Sequence, residues 1–257
     1  FIVSSIVSKK IAEGARALVY DVKVGNGAFM KTRDSARSLA ARLVATTKAL
    51  GAAASACITD MSWPIGAAVG NALEVVEAWE VLAGDKRAGT RPLTLALAAE
   101  MVRLAGAANT PAEALELVTR HLDDGSAADK FLALVRAQGG DPSLLETRQP
   151  LHPAPVTLEL TAPHDGYLAA CDCFALGELV VTIGGGRIKA EDAVDPRVGL
   201  LMLRDRGARV KRGEAFARLH LASDDAGLVQ RALACFTIAD APPQALPEDL
   251  VLERIGG

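Results

Sequence analysis

A serine and a lysine four positions apart, Ser5 and Lys9, are the first residues whose types and spacing could do chemistry. On a helix, side chains at i and i+4 project from the same face, one turn apart. The hydroxyl can donate and accept a hydrogen bond, and the ammonium can stabilise negative charge on a carbonyl oxygen. The pair therefore suits the edge of a planar heterocycle, with Ile2 and Ile6 as apolar flanks. An ordinary amphipathic helix with solvated lysines has the same spacing. The spacing by itself therefore favours an ordinary surface helix over a binding site.

A second segment of interest is DVKVGNGAFM, residues 21–30. It joins a β-rich run to a Gly-Asn-Gly turn and places Phe29 near the end of the strand. Glycine lets a ligand or a neighbouring backbone approach closely. The segment is typical of a binding loop at a sheet edge and equally of a simple turn.

Composition excludes several classes of function. The chain has 257 residues, a net charge of −3, 50% hydrophobic and 4% aromatic residues, so it can bury a large aliphatic core but has no broad basic field for nucleic acid. No apolar run approaches the roughly 18–20 residues that span a bilayer. The opening FIVSSIVSKK has its apolar run before its lysines, the reverse of a secretory signal. We therefore predict a cytoplasmic protein with no nucleic-acid or membrane partner.

The cysteines Cys57, Cys171, Cys173 and Cys235 give no recognisable metal or redox motif. A single Cys-Asp-Cys step without a second pair of ligands matches neither a zinc site nor a thioredoxin motif. The pattern predicts reduced, buried thiols and no cofactor.

The segments that carry Ser5, Lys9 and Phe29 are predicted to form a helix followed by a strand-helix-strand unit. Periodicity predicts a helix over 2–14, a strand over 17–24, a helix over 34–50 and a strand over 54–61. A crossover of this length favours parallel pairing in an α/β sheet, whose ligands bind at the carboxyl ends of the strands. Further helices are predicted over 69–82, 93–104, 111–121 and 126–138.

Proline and glycine collect over 139–155 and predict a domain boundary there. Beyond it, alternation predicts two hairpins, over 156–172 and 207–221, and a final helix over 223–238, which together indicate an α+β domain. The chain opens with Phe1 inside a helical pattern that has no preceding cap, so we expect a cut end. The predicted domains are 1–14, 15–150 and 151–257.

Two long stretches resemble the signature of thymidine and pyrimidine-nucleoside phosphorylases. They are SSIVSKKIAEGARALVYDVKVGNGAFM and TDMSWPIGAAVGNALEVVEA, in the family's order and spacing. HLDDGSAADKF, APHDGYL, TIGGGR and GARVKRGEAF extend the resemblance more weakly over nearly the whole chain. The resemblance implies an α/β domain with a mixed or parallel sheet flanked by helices, a remnant of an all-helical lobe over 1–14 and a hammerhead-like α+β C-terminal domain. It also implies a homodimer.

The activity implied by the resemblance is phosphorolysis of a pyrimidine nucleoside. Inorganic phosphate is the co-substrate and attacks the sugar carbon with inversion, releasing the base and a pentose 1-phosphate. By motif position, Ser5 and Lys9 would hold the base edge, with Lys9 as the catalytic residue. Ile2, Ile6 and Phe29 match positions that line the base pocket.

The resemblance also implies a monovalent or calcium-like cation. By motif position its ligands would be the carbonyl oxygens of Ile65 and Ala68 and the carboxylate of Glu77, and hard oxygen ligands suit such ions. The alternative is that Glu77 is an ordinary residue on the polar face of a helix.

Three features of the family have no counterpart in these residues: a glycine-rich phosphate loop, a histidine near the base, and an arginine ahead of the serine. We therefore expect this chain to supply part of a base site and not to turn over alone. Two other interpretations stay open, a relative acting on nucleoside monophosphates and a non-catalytic fragment with a structural role. The choice between thymidine alone and thymidine plus uridine also stays open.

Overall fold

The computed structural model describes residues 1–86, 89–147, 151, 153–243 and 249–256, which fold into two compact units. The described residues of the first unit are 1–61, 91–124 and 249–256, and those of the second are 62–86, 89–90, 125–147, 151 and 153–243. Among the described residues, no helix combines the length and the apolar character that a bilayer crossing requires.

Helices and strands alternate along the first part of the chain, and strands dominate the last part. The helices are α1 (Ile2–Ala12), α2 (Arg33–Ala49), α3 (Asn71–Leu82), α4 (Arg91–Leu104), α5 (Pro111–Asp123), α6 (Ser126–Ala137), α7 (Ser143–Glu146), α8 (Cys173–Val180) and α9 (Ala226–Ala234). The strands are β1 (Ala17–Val24), β2 (Ala53–Asp60), β3 (Ala68–Val69), β4 (Val156–Thr161), β5 (Gly166–Cys171), β6 (Gly199–Met202), β7 (Arg209–Val210), β8 (Ala215–Leu221), β9 (Phe236–Ala239) and β10 (Val251–Ile255).

The sheet of the first unit has the order β1-β2-β10. Strands β1 and β2 are parallel and in register from Ala17 opposite Ala53 to Val24 opposite Asp60, with α2 as the crossover between them. The predicted parallel pairing is therefore confirmed. Strand β10 lies antiparallel on the other side of β2, so the sheet is mixed.

Helix α2 holds this sheet through small side chains. Thr32 caps its first turn by accepting from the Ser35 N–H, and the Ser35 hydroxyl lies reciprocally against the Thr32 N–H. Ala36 and Ala40 are fully buried in a core shared with β1, β2 and α1. Side chains this small let the helix backbone approach the strands closely.

A buried hydrogen bond joins the same helix to the first strand. The hydroxyls of Tyr20 in β1 and Thr47 in α2 lie 2.6 Å apart, with Tyr20 at 8% and Thr47 at 0% exposure. Each polar group thereby satisfies the other inside an otherwise apolar core.

The second unit contains two antiparallel sheets, ordered β3-β6-β8-β4 and β7-β5-β9. Leucines and Phe216 fill its main core, and Phe216 packs edge-to-face on Phe236 with ring centroids 5.2 Å apart. The mixture of helices and sheets confirms an α/β class of fold at the coarse level.

Both predicted hairpins are wrong. Strands β4 and β5 are separated by only four residues, yet β4 pairs with β8 while β5 pairs with β7 and β9. Strands β7 and β8 likewise lie in different sheets. Alternation identifies a strand with one buried face but does not name its partner, and here the partners are distant in the chain.

The predicted final helix is also too long. Helix α9 ends at Ala234, and Phe236–Ala239 forms β9 against β5. Aromatic and β-branched residues at 236–238 favour a strand, and pairing with β5 satisfies their backbone groups.

The domain boundary is predicted over 139–155, and residues 148–150 and 152 of that segment lie outside the described residues. The packing units do not follow chain order, since 62–86, 89–90 and 125–147 belong to the unit that holds the C-terminal strands. The division into 1–14, 15–150 and 151–257 stays a prediction.

The Tyr20–Thr47 hydrogen bond leads to a stability prediction. Tyr20→Phe leaves a buried hydroxyl without its partner and should lower the free energy of unfolding by about 1–2 kcal/mol. Adding Thr47→Val removes the second hydroxyl, so the double variant should lose less than the sum of the two single variants. Urea unfolding of all four proteins measures this difference, and strictly additive losses would contradict the assigned interaction.

Candidate functional site

Helix α1 has one face in the core and one face outside it. Val3 and Val7 are buried at 9% and 1% exposure and pack in the core of the first unit. A step of two residues turns a helix by about 200°, so Ser5 and Lys9 lie on the side opposite these valines. Ser5 is half-buried and Lys9 is exposed. The structure thus places the predicted pair together on a face that the core does not use.

The two neighbouring lysines differ in their partners. The Lys10 ammonium lies 2.9 Å from the Glu13 carboxylate in a surface ion pair. Across the described ranges, Lys9 has no such carboxylate partner. Of the two cations, Lys9 is therefore the one available to an incoming ligand.

The predicted apolar lining is divided among three places. Ile2 is 37% exposed and shares the outer face with Ser5 and Lys9. Ile6 instead packs against the core from the side of the helix. Phe29 is 81% exposed and lies on the loop after β1. The structure places Ile2 on the Ser5–Lys9 face, Ile6 at the edge of the core and Phe29 on the loop after β1.

The loop that carries Phe29 is a well-defined turn. The Gly25 N–H donates to the Met30 carbonyl at 3.1 Å, and the Gly27 N–H donates to the Met61 carbonyl at 3.1 Å. Gly25 has φ 136°, a conformation that side chains rarely allow, so a glycine is required there. The turn is therefore tied to the chain that follows both parallel strands, where α/β sheets bind ligands.

Sequence reasoning missed a polar group at the same end of the sheet. The Thr59 hydroxyl donates to the Asp21 carboxylate, whose other oxygen accepts from the Lys23 ammonium. Thr59 is fully buried, while Asp21 and Lys23 keep about a quarter of their side-chain surface. The available signal was alternation in β1, because buried Tyr20 and Val22 leave 21 and 23 on the opposite face of the strand.

Glu77 is a buried carboxylate that organises the loop before α3. At 7% exposure it accepts from the N–H groups of Ala67 at 3.2 Å and Ala68 at 3.0 Å, and from the Thr90 hydroxyl at 3.4 Å. A Cβ on Gly66 would lie 2.2 Å from a Glu77 oxygen, so glycine is required for this approach. An ordinary residue on the polar face of a helix would be solvated, whereas Glu77 is buried and hydrogen-bonded to backbone N–H groups.

The carboxylate of Glu77 and the carbonyl groups of Ile65 and Ala68 offer oxygen ligands, the type that a hard cation prefers. In the described part of the chain, the hydrogen-bond partners of the buried carboxylate are neutral. A nearby positive charge would offset the cost of burying the negative one. Within the described residues, no group of three His, Cys, Asp or Glu side chains is arranged to hold a metal, so any such site depends on backbone carbonyls.

Two family models match this chain, one in its first half and one near its C-terminal end. Residues 2–128 match a model described as the a/b domain of a glycosyl transferase family. Residues 167–239 match a model described as the pyrimidine nucleoside phosphorylase C-terminal domain. The first match contains α1, the Gly25 loop and Glu77, and the second contains α8, α9 and most strands of the second unit.

Curated relatives agree with these matches. The thymidine phosphorylase of Agrobacterium fabrum is 43% identical over 259 residues, covering 99% of this chain and 58% of the relative. That of Rhizobium meliloti is 41% identical, covering 96% of this chain and 57% of the relative. The pyrimidine-nucleoside phosphorylase of Geobacillus stearothermophilus is 41% identical, covering 85% of this chain and 51% of the relative.

The chain therefore spans somewhat more than half the length of the curated relatives it matches. The two family models match separate parts of the chain, and the thymidine phosphorylase of Agrobacterium fabrum aligns over nearly all of it. By these matches, this chain belongs to the thymidine and pyrimidine-nucleoside phosphorylase family.

Proposed function

We propose that this chain contributes the base-binding wall of an enzyme that catalyses reversible phosphorolysis of thymidine and related pyrimidine nucleosides. The observation that carries the proposal is the outer face of α1, where Ser5 and Lys9 lie together opposite the buried Val3 and Val7. The names of the relatives support the reaction class.

Lys9 is the catalytic residue of this proposal. When the bond between sugar and base breaks, the pyrimidine leaves as an anion whose charge lies largely on its carbonyl oxygens. An ammonium beside one of these oxygens binds more tightly as the charge develops. This differential binding lowers the barrier to reaction, whereas equal binding of substrate and transition state would not.

Ser5 and the apolar side chains orient the base. The Ser5 hydroxyl can donate to a carbonyl oxygen or accept from the adjacent ring N–H, which suits the edge of a pyrimidine. Ile2 lies on the same face of α1 and supplies apolar surface for the ring. Ile6 and Phe29 complete the proposed lining, and the exposed Phe29 ring is available for stacking.

The phosphate co-substrate is the part of the reaction for which these residues offer no counterpart. No segment with the P-loop spacing Gly-x-x-x-x-Gly-Lys-Ser/Thr occurs in the sequence, and the family's glycine-rich phosphate loop with lysine and serine has no counterpart in these residues. Such loops hold phosphate through their backbone N–H groups. The proposal therefore assigns phosphate binding to residues outside this sequence. No cofactor is required by the chemistry.

Several features accompany the proposal on the strength of family membership. They are a homodimeric assembly, a cytoplasmic location, a hammerhead-like C-terminal domain, and an origin of residues 1–14 in an all-helical lobe. The match of residues 167–239 to the family's C-terminal domain supports the third of these.

A bound cation at Glu77 is the last element of the proposal. Glu77 and the carbonyl oxygens of Ile65 and Ala68 would hold a monovalent or calcium-like ion. The ion would balance the buried charge and stabilise the loop before α3.

Lys9→Ala should lower kcat for thymidine phosphorolysis by the full-length protein about 100-fold or more, the scale seen when a group stabilising a developing anion is removed. Lys10→Ala is the matched control, because Lys10 is held in a surface ion pair with Glu13 and should change kcat little. Steady-state kinetics compares them. Equal losses in the two variants, or no loss in the first, would disprove the role of Lys9.

The chain of 257 residues should show no phosphorolysis of thymidine by itself. The reason is the lack of a phosphate-binding loop among its residues. An intact mass of the purified protein, taken beside a thymine-release assay, makes the test unambiguous. Turnover by a protein of this mass, 26.7 kDa, would show that the phosphate site lies within the chain.

Glu77→Gln should remove any cation-dependent thermal stabilisation, because an amide carries no charge for the ion to balance. The matched control is Glu74→Gln on the same helix, since Glu74 also accepts a backbone N–H, from Gly70 at 2.9 Å. Melting temperatures in potassium, calcium and choline chloride compare the variants with the parent protein. An identical cation response in Glu77→Gln, or none in the parent, would contradict the proposed site.

A further inference from the structure

Three of the four cysteines gather at one end of the strand pair β5–β9 in the second unit. Cys171 ends β5 and Cys173 begins α8, with Asp172 between them. Cys235 follows α9 directly, and its carbonyl accepts from the Asp172 N–H at 2.7 Å. This cluster lies outside the proposed base and cation sites, and nothing in the phosphorolysis uses it.

The chain bends sharply between Cys171 and Cys173. Asp172 has φ −78° and ψ 89°, close to the inverse γ-turn, and its side chain caps α8 by accepting from the Ala175 N–H at 3.0 Å. Two Cα–Cα steps of about 3.8 Å folded by such a bend fall within the roughly 4.4–6.8 Å that disulfide-bonded Cα atoms span. The Cys173 thiol also points back along the chain, with its sulfur 3.8 Å from the Cys171 carbonyl oxygen.

The two thiols differ in accessibility. Cys171 is buried at 1% exposure, and its pKa is raised by a hydrogen bond with the Cys173 thiol and by burial. Cys173 is half-buried and occupies the first position of α8. Cys173 is therefore the thiol that an external oxidant reaches first, and Cys171 is the protected thiol beside it.

We propose that Cys171 and Cys173 form a redox-active dithiol that reacts with low-molecular-weight disulfides. The pair is reduced in a reducing compartment and closes to an intramolecular disulfide when the pool of small disulfides rises. The proposal concerns the second unit alone and does not depend on the proposed phosphorolysis.

The reaction balances as two successive thiol–disulfide exchanges. The Cys173 thiol loses its proton to solvent, and its thiolate attacks one sulfur of the small disulfide. That sulfur–sulfur bond breaks, one small thiolate leaves, and a mixed disulfide remains on Cys173. The Cys171 thiol then loses its proton and attacks the Cys173 sulfur, which expels the second small thiolate. Two protein thiols are oxidised and one small disulfide is reduced to two thiols.

Cys235 is the competing partner, and the contacts favour Cys171 over it. The Cys171 thiol is hydrogen-bonded to the Cys173 thiol. The Cys235 sulfur lies 3.4 Å from the carbonyl oxygen of Arg231 in its own helix, so it is oriented toward α9. The resolving thiol is therefore Cys171.

The test treats the folded chain with oxidised glutathione and maps its thiols by mass spectrometry. The parent protein should become lighter by two hydrogen atoms, with one peptide carrying a Cys171–Cys173 disulfide that dithiothreitol reverses. Cys171→Ser should instead accumulate a glutathione adduct on Cys173, because the resolving thiol is gone. Cys57→Ser and Cys235→Ser are matched controls that should form the same disulfide as the parent protein.

Three outcomes would overturn the proposal. They are a disulfide that links Cys173 to Cys235, a glutathione adduct on Cys173 that persists in the parent protein, and no reaction of either thiol. Circular dichroism of each variant establishes that the chain is folded before treatment. Because the readout is the state of the thiols, failure of this proposal leaves the phosphorolysis assays unaffected, and the reverse also holds.

Discussion

The close packing of α2 on the parallel pair β1–β2 is the constraint on which the first unit depends. Ala36 and Ala40 present almost no side chain to the strands, so the helix lies near the sheet and leaves no room for larger residues. Val3 and Val7 of α1 fill the same core from beside α2. Their burial determines the rotation of α1 about its axis, and this rotation sends Ser5 and Lys9 outward.

The proposed chemistry uses what the core leaves over. Lys9 and Phe29 are both exposed. Glu77 is the opposite case, a carboxylate drawn inside to hold backbone N–H groups. A solvated ammonium can bind an incoming anion, whereas a buried carboxylate needs hydrogen bonds or an opposite charge close to it. The two kinds of site therefore have different physical requirements.

The second unit has its own organising principle, since its strands pair across long stretches of chain. Strand β5 meets β7 and β9, and the bend at Asp172 that ends β5 is also the start of α8. This junction brings Cys171 and Cys173 together and sets Cys235 beside them. The sequence predicted reduced, buried thiols, and the structure confirms burial for Cys57, Cys171 and Cys235, while Cys173 is half-buried.

Local patterns determined the helices of the first unit and its strands β1 and β2, because hydrophobic period and glycine stops operate within one element. The 34–50 helix, the 17–24 strand and their parallel crossover were predicted within a few residues. Motif resemblance, and not spacing, singled out Ser5 and Lys9. Tertiary structure alone decided which strands pair in the second unit, which face of α1 is free, and that Glu77 is buried on the N–H groups of Ala67 and Ala68. These depend on contacts between residues far apart in the chain, and no local pattern of side chains encodes the identity of a distant partner.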